Sequence, residues 1–196
     1  ITQAMASGAK VLGLANAGAD TVNSVKQAAE FGAARKMRIA PLLMFITDVH
    51  ALGYEVSAGL TVTESFYWDL NDRTRAFTKR ILPKSPGNYP NQAHASSYSS
   101  TLHYLKTVAD MGPAEAKKSG AATIARMKQM PTDDDAFGRG SIREDGRGVF
   151  PAYLFQVKTK EESSGPWDLY KLVATTPAAE AVRPLSEGGC KFIQKT

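Results

Sequence analysis

The chain has 196 residues, 43% apolar and 22% charged, an ordinary balance for a globular α/β protein that argues against disorder, collagen and coiled coil. No apolar run approaches the roughly 20 residues needed to span a bilayer, and the most hydrophobic stretch, Ile39 to Ile46, is only strand-sized. The formal charge of +5 comes from scattered basic residues with no aromatic-basic cluster, so nucleic acid is not an expected partner.

In chain order, Ile1 to Ala9 lacks both a basic n-region and an apolar h-region, so no export signal is read there. The sequence then enters a strand-like stretch almost at once, as an interior segment of a longer protein would. Lys10 to Leu14 is a short apolar run, followed by Ala15-Asn16-Ala17-Gly18-Ala19-Asp20-Thr21 and a helical pattern through Phe31 that stops at Gly32. This reads as strand, loop and helix, with Asp20 or Thr21 as N-cap. Ile39 to Ile46 is a second strand, Val49 to Ser57 a short helix, and Leu60 to Thr63 a third strand. Strands alternating with helices predict parallel βαβ geometry with both sheet faces covered.

Glu64-Ser65-Phe66-Tyr67-Trp68-Asp69 concentrates aromatics in a stretch that reads as a crossover. Asn71 or Asp72 caps a helix running to about Ile81, and Pro83 to Asn91 breaks it. Ala93 to Met111 and Ala114 to Met130 read as two further helices. Beyond Pro131, Ser141-Ile142-Arg143, the turn Glu144-Asp145-Gly146-Arg147 and the run Val149 to Lys158 read as a hairpin, because an Asp-Gly pair accepts the positive φ of a tight turn. A loop, Lys160 to Asp168, leads to a last strand, Leu169 to Thr175.

Few residues suggest reaction chemistry. The lone Cys190 can form neither an internal disulfide nor a cysteine-based zinc site. His50, His94 and His103 have no i, i+4 spacing, so no metal is expected. Asp133-Asp134-Asp135 reads as a solvated loop, since adjacent carboxylates converge on a cation only with help from elsewhere. Neither G-x-G-x-x-G, nor a Walker A sequence, nor a G-x-S-x-G elbow is present. No catalytic set and no cofactor are expected.

The constructive signal is placement, because ligands in open α/β sheets bind at the carboxyl ends of the strands. Those ends are Ala15 to Thr21, Phe45 to Asp48, and Glu64 to Asp69. The first offers helix N-terminal amides and small residues suited to a carboxylate, although Asp20 also fits a simple N-cap. The third offers Phe66, Tyr67 and Trp68, which either stack on an apolar or aromatic ligand or pack a hinge.

Several blocks carry a family resemblance. They are Gly18-Ala19-Asp20-Thr21 through Lys26-Gln27-Ala28-Ala29-Glu30-Phe31-Gly32, then Phe45-Ile46-Thr47-Asp48-Val49-His50-Ala51-Leu52-Gly53, then Thr63-Glu64-Ser65-Phe66-Tyr67-Trp68-Asp69-Leu70-Asn71-Asp72. Further on come Tyr98-Ser99 with Leu102-His103-Tyr104-Leu105-Lys106, Ile142-Arg143-Glu144-Asp145-Gly146-Arg147, Tyr153-Leu154-Phe155-Gln156-Val157-Lys158, and the tail Arg183-Pro184-Leu185-Ser186-Glu187-Gly188-Gly189-Cys190. In their order and spacing the chain resembles the C-terminal half of branched-chain amino acid ABC transporter substrate-binding proteins, of the type I periplasmic binding protein family.

The resemblance implies a Rossmann-like, three-layer parallel α/β sheet of that fold, incomplete, with a C-terminal antiparallel hairpin. Residues 1–63 would belong to the second ligand-binding lobe, 64–69 to a crossover hinge, 70–148 to the helical remainder of the first lobe, and 149–196 to the return crossover, strands and tail of the second. It also implies a solute-binding, non-enzymatic component of an ABC importer in the periplasm, whose partners are a membrane permease and the missing N-terminal half of the same protein. The ligand would be a small amino acid or related carboxylate, branched-chain or aromatic. A ligand-sensing regulatory protein of the same fold is the alternative. By position, the ligand contacts would be Asn16, Ala17, Gly18, Ala19 and Asp20, Phe45, Thr47 and Asp48, Tyr67 and Trp68 at the hinge, and Tyr98 from the first lobe.

Overall fold

The computed structural model describes residues 1–191 and 193. In its first part, helix α1 (Thr2–Ala6) precedes strand β1 (Val11–Leu14), then come α2 (Ala19–Glu30), β2 (Arg38–Pro41), α3 (Ile46–Leu52), α4 (Tyr54–Ser57) and β3 (Thr61–Glu64). Strands β1 and β2 pair in parallel, from Val11 opposite Arg38 to Leu14 opposite Pro41. Leu12 and Leu14 turn towards a core that Val25 and Ala28 of α2 help to fill.

The second strand is shorter than its apolar run. It ends at Pro41, just before the Leu42 N–H donates the last bond across to the Leu14 carbonyl at 3.1 Å. Helix α3 starts at Ile46, ahead of the expected Val49, because the Asp48 carboxylate accepts a 2.9 Å bond from the Phe45 N–H and closes the first turn. Gly53, with φ 73 and ψ 168, separates α3 from α4. Strand β3 departs from the expected parallel ladder. It bonds antiparallel to β7 (Ala152–Val157), which pairs in turn with β8 (Tyr170–Thr176). The sheet architecture is therefore mixed.

The middle of the chain is helical. Helix α5 (Asp72–Ile81) is capped by Asn71, whose side chain accepts from the Thr74 N–H at 3.1 Å. Helix α6 (Gln92–Met111) is capped likewise by Asn91. The single helix expected over 114–130 is two, α7 (Pro113–Lys118) and α8 (Gly120–Gln129). Ser119 is extended between them, and its hydroxyl accepts from the Ala122 N–H.

Strand β4 (Thr132–Asp134) lies where a solvated acidic loop was expected. Two of the three carboxylates in this stretch have partners: Asp134 accepts from the N–H groups of Ala136 and Phe137 at 2.8 and 2.7 Å, and Asp135 pairs with Arg80. Strand β5 (Gly138–Ile142) joins β4 to β6 (Gly148–Val149) in an antiparallel sheet. The expected turn closes β5–β6 with Gly146 at φ 83. The apolar run Val149 to Lys158 divides at Pro151, its first residue pairing with β5 and the rest, as β7, with β3 and β8.

Two apolar clusters result among the described residues. The larger joins α2, α3, the strands β1, β2, β3 and β7, and Trp167, Leu169 and Tyr170. The smaller contains Phe66, Phe77, Ala95 and Ala136. Consecutive residues of the segment after β3 enter different clusters, Phe66 the smaller and Tyr67 the larger, while Trp68 packs against both.

Candidate functional site

The N-termini of α3 and α6 meet at the carboxyl end of β3. Asn91, nearly buried at the start of α6, donates from Nδ2 to the Thr47 Oγ1 of α3 at 3.3 Å. Gln92 Oε1 accepts from both the backbone N–H and the hydroxyl of Ser65. Glu64, the last residue of β3, is 2% exposed, and its Oε1 accepts a 2.9 Å bond from the Tyr170 hydroxyl. Its other oxygen, Oε2, is buried without a partner. Burial pushes the Glu64 carboxyl up to about 8, against the lowering effect of the Tyr170 bond and the Gln92 amide, with the Asp48 charge adding to the rise. The carboxyl is therefore largely neutral at pH 7. Burial and the adjoining Glu64 raise the Tyr170 hydroxyl well above its ordinary value.

Beside this polar junction four aromatic rings form a continuous cluster. Trp167 stacks on His50 of α3, with centroids 4.0 Å apart and planes within 6°, and on Tyr89 at 5.2 Å and 19°. Trp68 meets Tyr89 edge-on at 4.8 Å, and its indole N–H donates to the Trp167 carbonyl at 2.7 Å. Trp167 is held by a loop in which Lys158 bonds Asp168, and Asp168 accepts from both the N–H and hydroxyl of Ser164.

The predicted contacts fall in several places. Phe45, Thr47 and Asp48 form the first turn of α3 and are half-buried at the polar junction. Trp68 is half-buried in the aromatic cluster. Tyr67 lies inside the larger core, 4% exposed, between the rings of Phe155 and Tyr170, and burial raises its hydroxyl above the usual phenol range.

At the end of β1, Ala17, Gly18, Ala19 and Asp20 are exposed, and the N-cap of α2 is Gly18, with no side-chain cap, rather than the expected Asp20 or Thr21, which lie inside the first turn. Asn16 is committed to bracing this turn. Its Oδ1 accepts from the Thr21 hydroxyl and its Nδ2 donates to Ser24 Oγ, both at 2.9 Å. Tyr98 belongs to a different neighbourhood. It packs on Phe77 and donates to Asp135 at 2.6 Å while accepting from Arg80 at 3.1 Å. Burial raises the Tyr98 hydroxyl, and the bond to Asp135 adds to the rise.

Sequence reasoning did not single out Glu64, Tyr89, Asn91, Gln92 or Trp167. Glu64 and Trp167 had a weak signal in a strand-end carboxylate and a tryptophan in a loop, whereas Tyr89 and Asn91 had none until α6 was placed. Among the described residues, no group of three or more His, Cys, Asp or Glu side chains converges as metal ligands would. No helix among them is long and apolar enough to cross a membrane. The arrangement offers uncapped amides at α2, a polar junction and aromatic faces, which suit recognition of a small polar molecule.

The sequence matches the profile of the family described as periplasmic binding protein over residues 1–164. No curated protein matches it. Among solved structures it resembles a periplasmic binding protein of Burkholderia mallei at 42% identity and TM-score 0.89, over 98% of this chain and 50% of that one. A branched-chain amino acid ABC transporter periplasmic ligand-binding protein of Burkholderia xenovorans is 38% identical at TM-score 0.81, over 97% of this chain and 50% of that one. The fold is also shared with a solute-binding protein of an ABC transporter from Rhodopseudomonas palustris, solved with 3,4-dihydroxybenzoic acid, at 18% identity and TM-score 0.73, over 95% and 49% of the two chains. The chain thus spans about half the length of these proteins. Both the extended profile match and the 42% identity across nearly every residue lead to one conclusion: the chain belongs to the periplasmic binding protein family.

Proposed function

We propose that the chain supplies one side of a solute cleft in the binding component of an ABC importer, and that it acts by capture and release without catalysis. The observation that carries this reading is the meeting of the α3 and α6 N-termini with an aromatic cluster at the strand ends. The amides at the start of α2, which no side chain caps, favour a carboxylate, and the half-buried rings of Trp68 and Tyr89 favour an apolar or aromatic body. The solute class is an amino acid or related carboxylate, in keeping with the names of the Burkholderia xenovorans and Rhodopseudomonas palustris proteins.

In this reading residues 1–63 and 149–196 belong to one lobe and 70–148 to the other, with 64–69 as the hinge. Ala17 to Asp20, Phe45, Thr47, Asp48 and Trp68 face the solute, Asn16 and Tyr67 shape its walls, and Tyr98 lies on the other lobe. The protein works in the periplasm, where closure on solute presents a shape that a permease recognises. The test is isothermal calorimetry of the chain completed by the other half of the fold, against branched-chain amino acids and aromatic carboxylates. Saturable heat that Thr47→Ala and Trp68→Ala reduce supports the reading. A completed protein that is folded but binds none of them sinks it.

A further inference from the structure

At the amino ends of the strands, opposite the candidate cleft, lies a cavity of about 600 Å³. The buried side chains of Val25, Met37 and Ile39 give it an apolar floor, and the exposed Lys10, Arg35, Lys36 and Arg38 line its mouth. Lys10 directly precedes β1, Arg38 opens β2, and Leu60 and Thr61 line the cavity where β3 begins. Each of these strands has four residues, so roughly 13 Å of backbone separates the cavity from the carboxyl ends.

The charge here is one-sided. No acidic residue lines the cavity, and none of its four cations forms an ion pair among the described residues, whereas Arg75, Arg80, Arg126 and Arg143 each hold a carboxylate. Like charges gathered round one cavity repel one another, and a bound anion reverses that interaction. The backbone also positions one of them. Arg35 ends the turn Ala33–Arg35, which leaves Gly32 in the left-handed region at φ 65, and a Cβ at Gly32 would collide with the Arg35 guanidinium. Glycine at 32 thus both turns the chain and leaves the guanidinium room.

We infer that this cavity is a second ligand site, which takes a phosphate monoester with an apolar or aromatic body. Two guanidinium groups offer forked donors that match phosphate oxygens, and two ammonium groups add point charges. A phosphate monoester carries about −1.5 to −2 at pH 7, so it answers four cations better than a single carboxylate does. The apolar floor accepts the body, and the volume falls in the range of small-molecule sites. The same phosphate chemistry occurs on a soluble ester and on a lipid headgroup such as phosphatidic acid. The site lies outside the proposed solute cleft and stands whether or not that cleft binds an amino acid.

The test is calorimetry with phenyl phosphate on the chain completed by the other half of the fold. Saturable one-to-one binding is expected, roughly tenfold tighter than that of inorganic phosphate, which lacks the ring. Arg35→Gln and Arg38→Gln should each weaken it roughly tenfold with the melting midpoint unchanged, whereas Arg139→Gln, at an exposed position of β5 away from the cavity, should leave it as it is. Emission from Trp68 and Trp167, which lie at the other end of the strands, should stay constant throughout. No heat with phenyl phosphate, equal binding by the wild type and both cavity arginine variants, or tryptophan emission that tracks the titration would each overturn the inference. Sedimentation with phosphatidic acid vesicles then separates the two sources of phosphate. Protein that pellets and is released by phenyl phosphate identifies a lipid headgroup, and protein that stays in the supernatant identifies a soluble ester. A protein that binds phenyl phosphate but no amino acid leaves this site standing and counts against the proposed function alone.

Discussion

Around Val62, Phe155 and Tyr170 the chain buries a broad set of apolar side chains, whereas around Phe77 it buries three others, Phe66, Ala95 and Ala136. The second region is tied together instead by polar contacts. Asp135 binds Arg80 and Tyr98, Asp134 binds Ser99, Lys106 donates to the Asp133 carbonyl, and Arg126 pairs with Asp110. Exposed ion pairs contribute about 0–1 kcal/mol each, much less than a buried ring. The region of α5 to β6 is therefore expected to open at lower free energy than the region of β3, β7 and β8.

Cavity-forming substitutions give the largest expected effects. Phe155→Ala removes a fully buried ring that contacts Tyr67, Tyr153 and Tyr170 and should cost about 3–5 kcal/mol in urea unfolding. Phe77→Ala, also fully buried, should cost a similar amount but should accelerate amide exchange in α5 and α6 while β7 and β8 remain protected. Equal acceleration in both regions would erase the distinction between them.

Next comes a pH effect at the junction of the two regions. The folded state holds the Glu64 proton up to about pH 8, while the carboxyl's ordinary value is 4.5. Between those values the unfolded chain binds fewer protons than the folded one, so stability falls as pH rises from 4.5 to about 8 and levels off above. The span is on the order of several kcal/mol. Glu64→Gln should flatten that slope in pH-dependent thermal unfolding, and an unchanged slope would mean that Glu64 is not its source.

Smaller effects probe single contacts. Tyr98→Phe deletes the hydroxyl that bonds Asp135 and should cost about 1 kcal/mol, read as a lower midpoint for α6 alone. Asn71→Ala removes the α5 cap and should also cost about 1 kcal/mol, with Asn71→Ser recovering most of it.

What could be read before folding depended on how local the signal was. Strand β1, the body of helix α2, the Asn71 cap and the Asp145-Gly146 turn each follow from residues a few positions apart, and each is where periodicity and turn chemistry put it, although α2 begins a fraction of a turn earlier than its expected Asp20 or Thr21 cap. Strand β4 was missed because Asp134 and Asp135 find their partners at Ser99, Tyr98 and Arg80, which only the fold brings near. Ser119 divides a helical pattern that apolar spacing alone reads as continuous. The strand ends were visible as places, and Phe45 to Asp48 was visible as one of them. The Tyr89–Trp167 stack, the Trp68–Trp167 bond and the Thr47–Asn91 bond join residues 44 to 99 positions apart, beyond any local pattern.

The protein's two tryptophans, Trp68 and Trp167, both lie in the aromatic cluster at the strand ends, so its intrinsic fluorescence reports on the candidate cleft directly. The decisive measurement is a fluorescence titration of the chain, completed by the other half of the fold, with branched-chain amino acids and aromatic carboxylates. A saturable change that Thr47→Ala diminishes is the predicted result; emission that stays constant across the whole series, in a complex shown to be folded, would contradict a solute cleft at these strand ends.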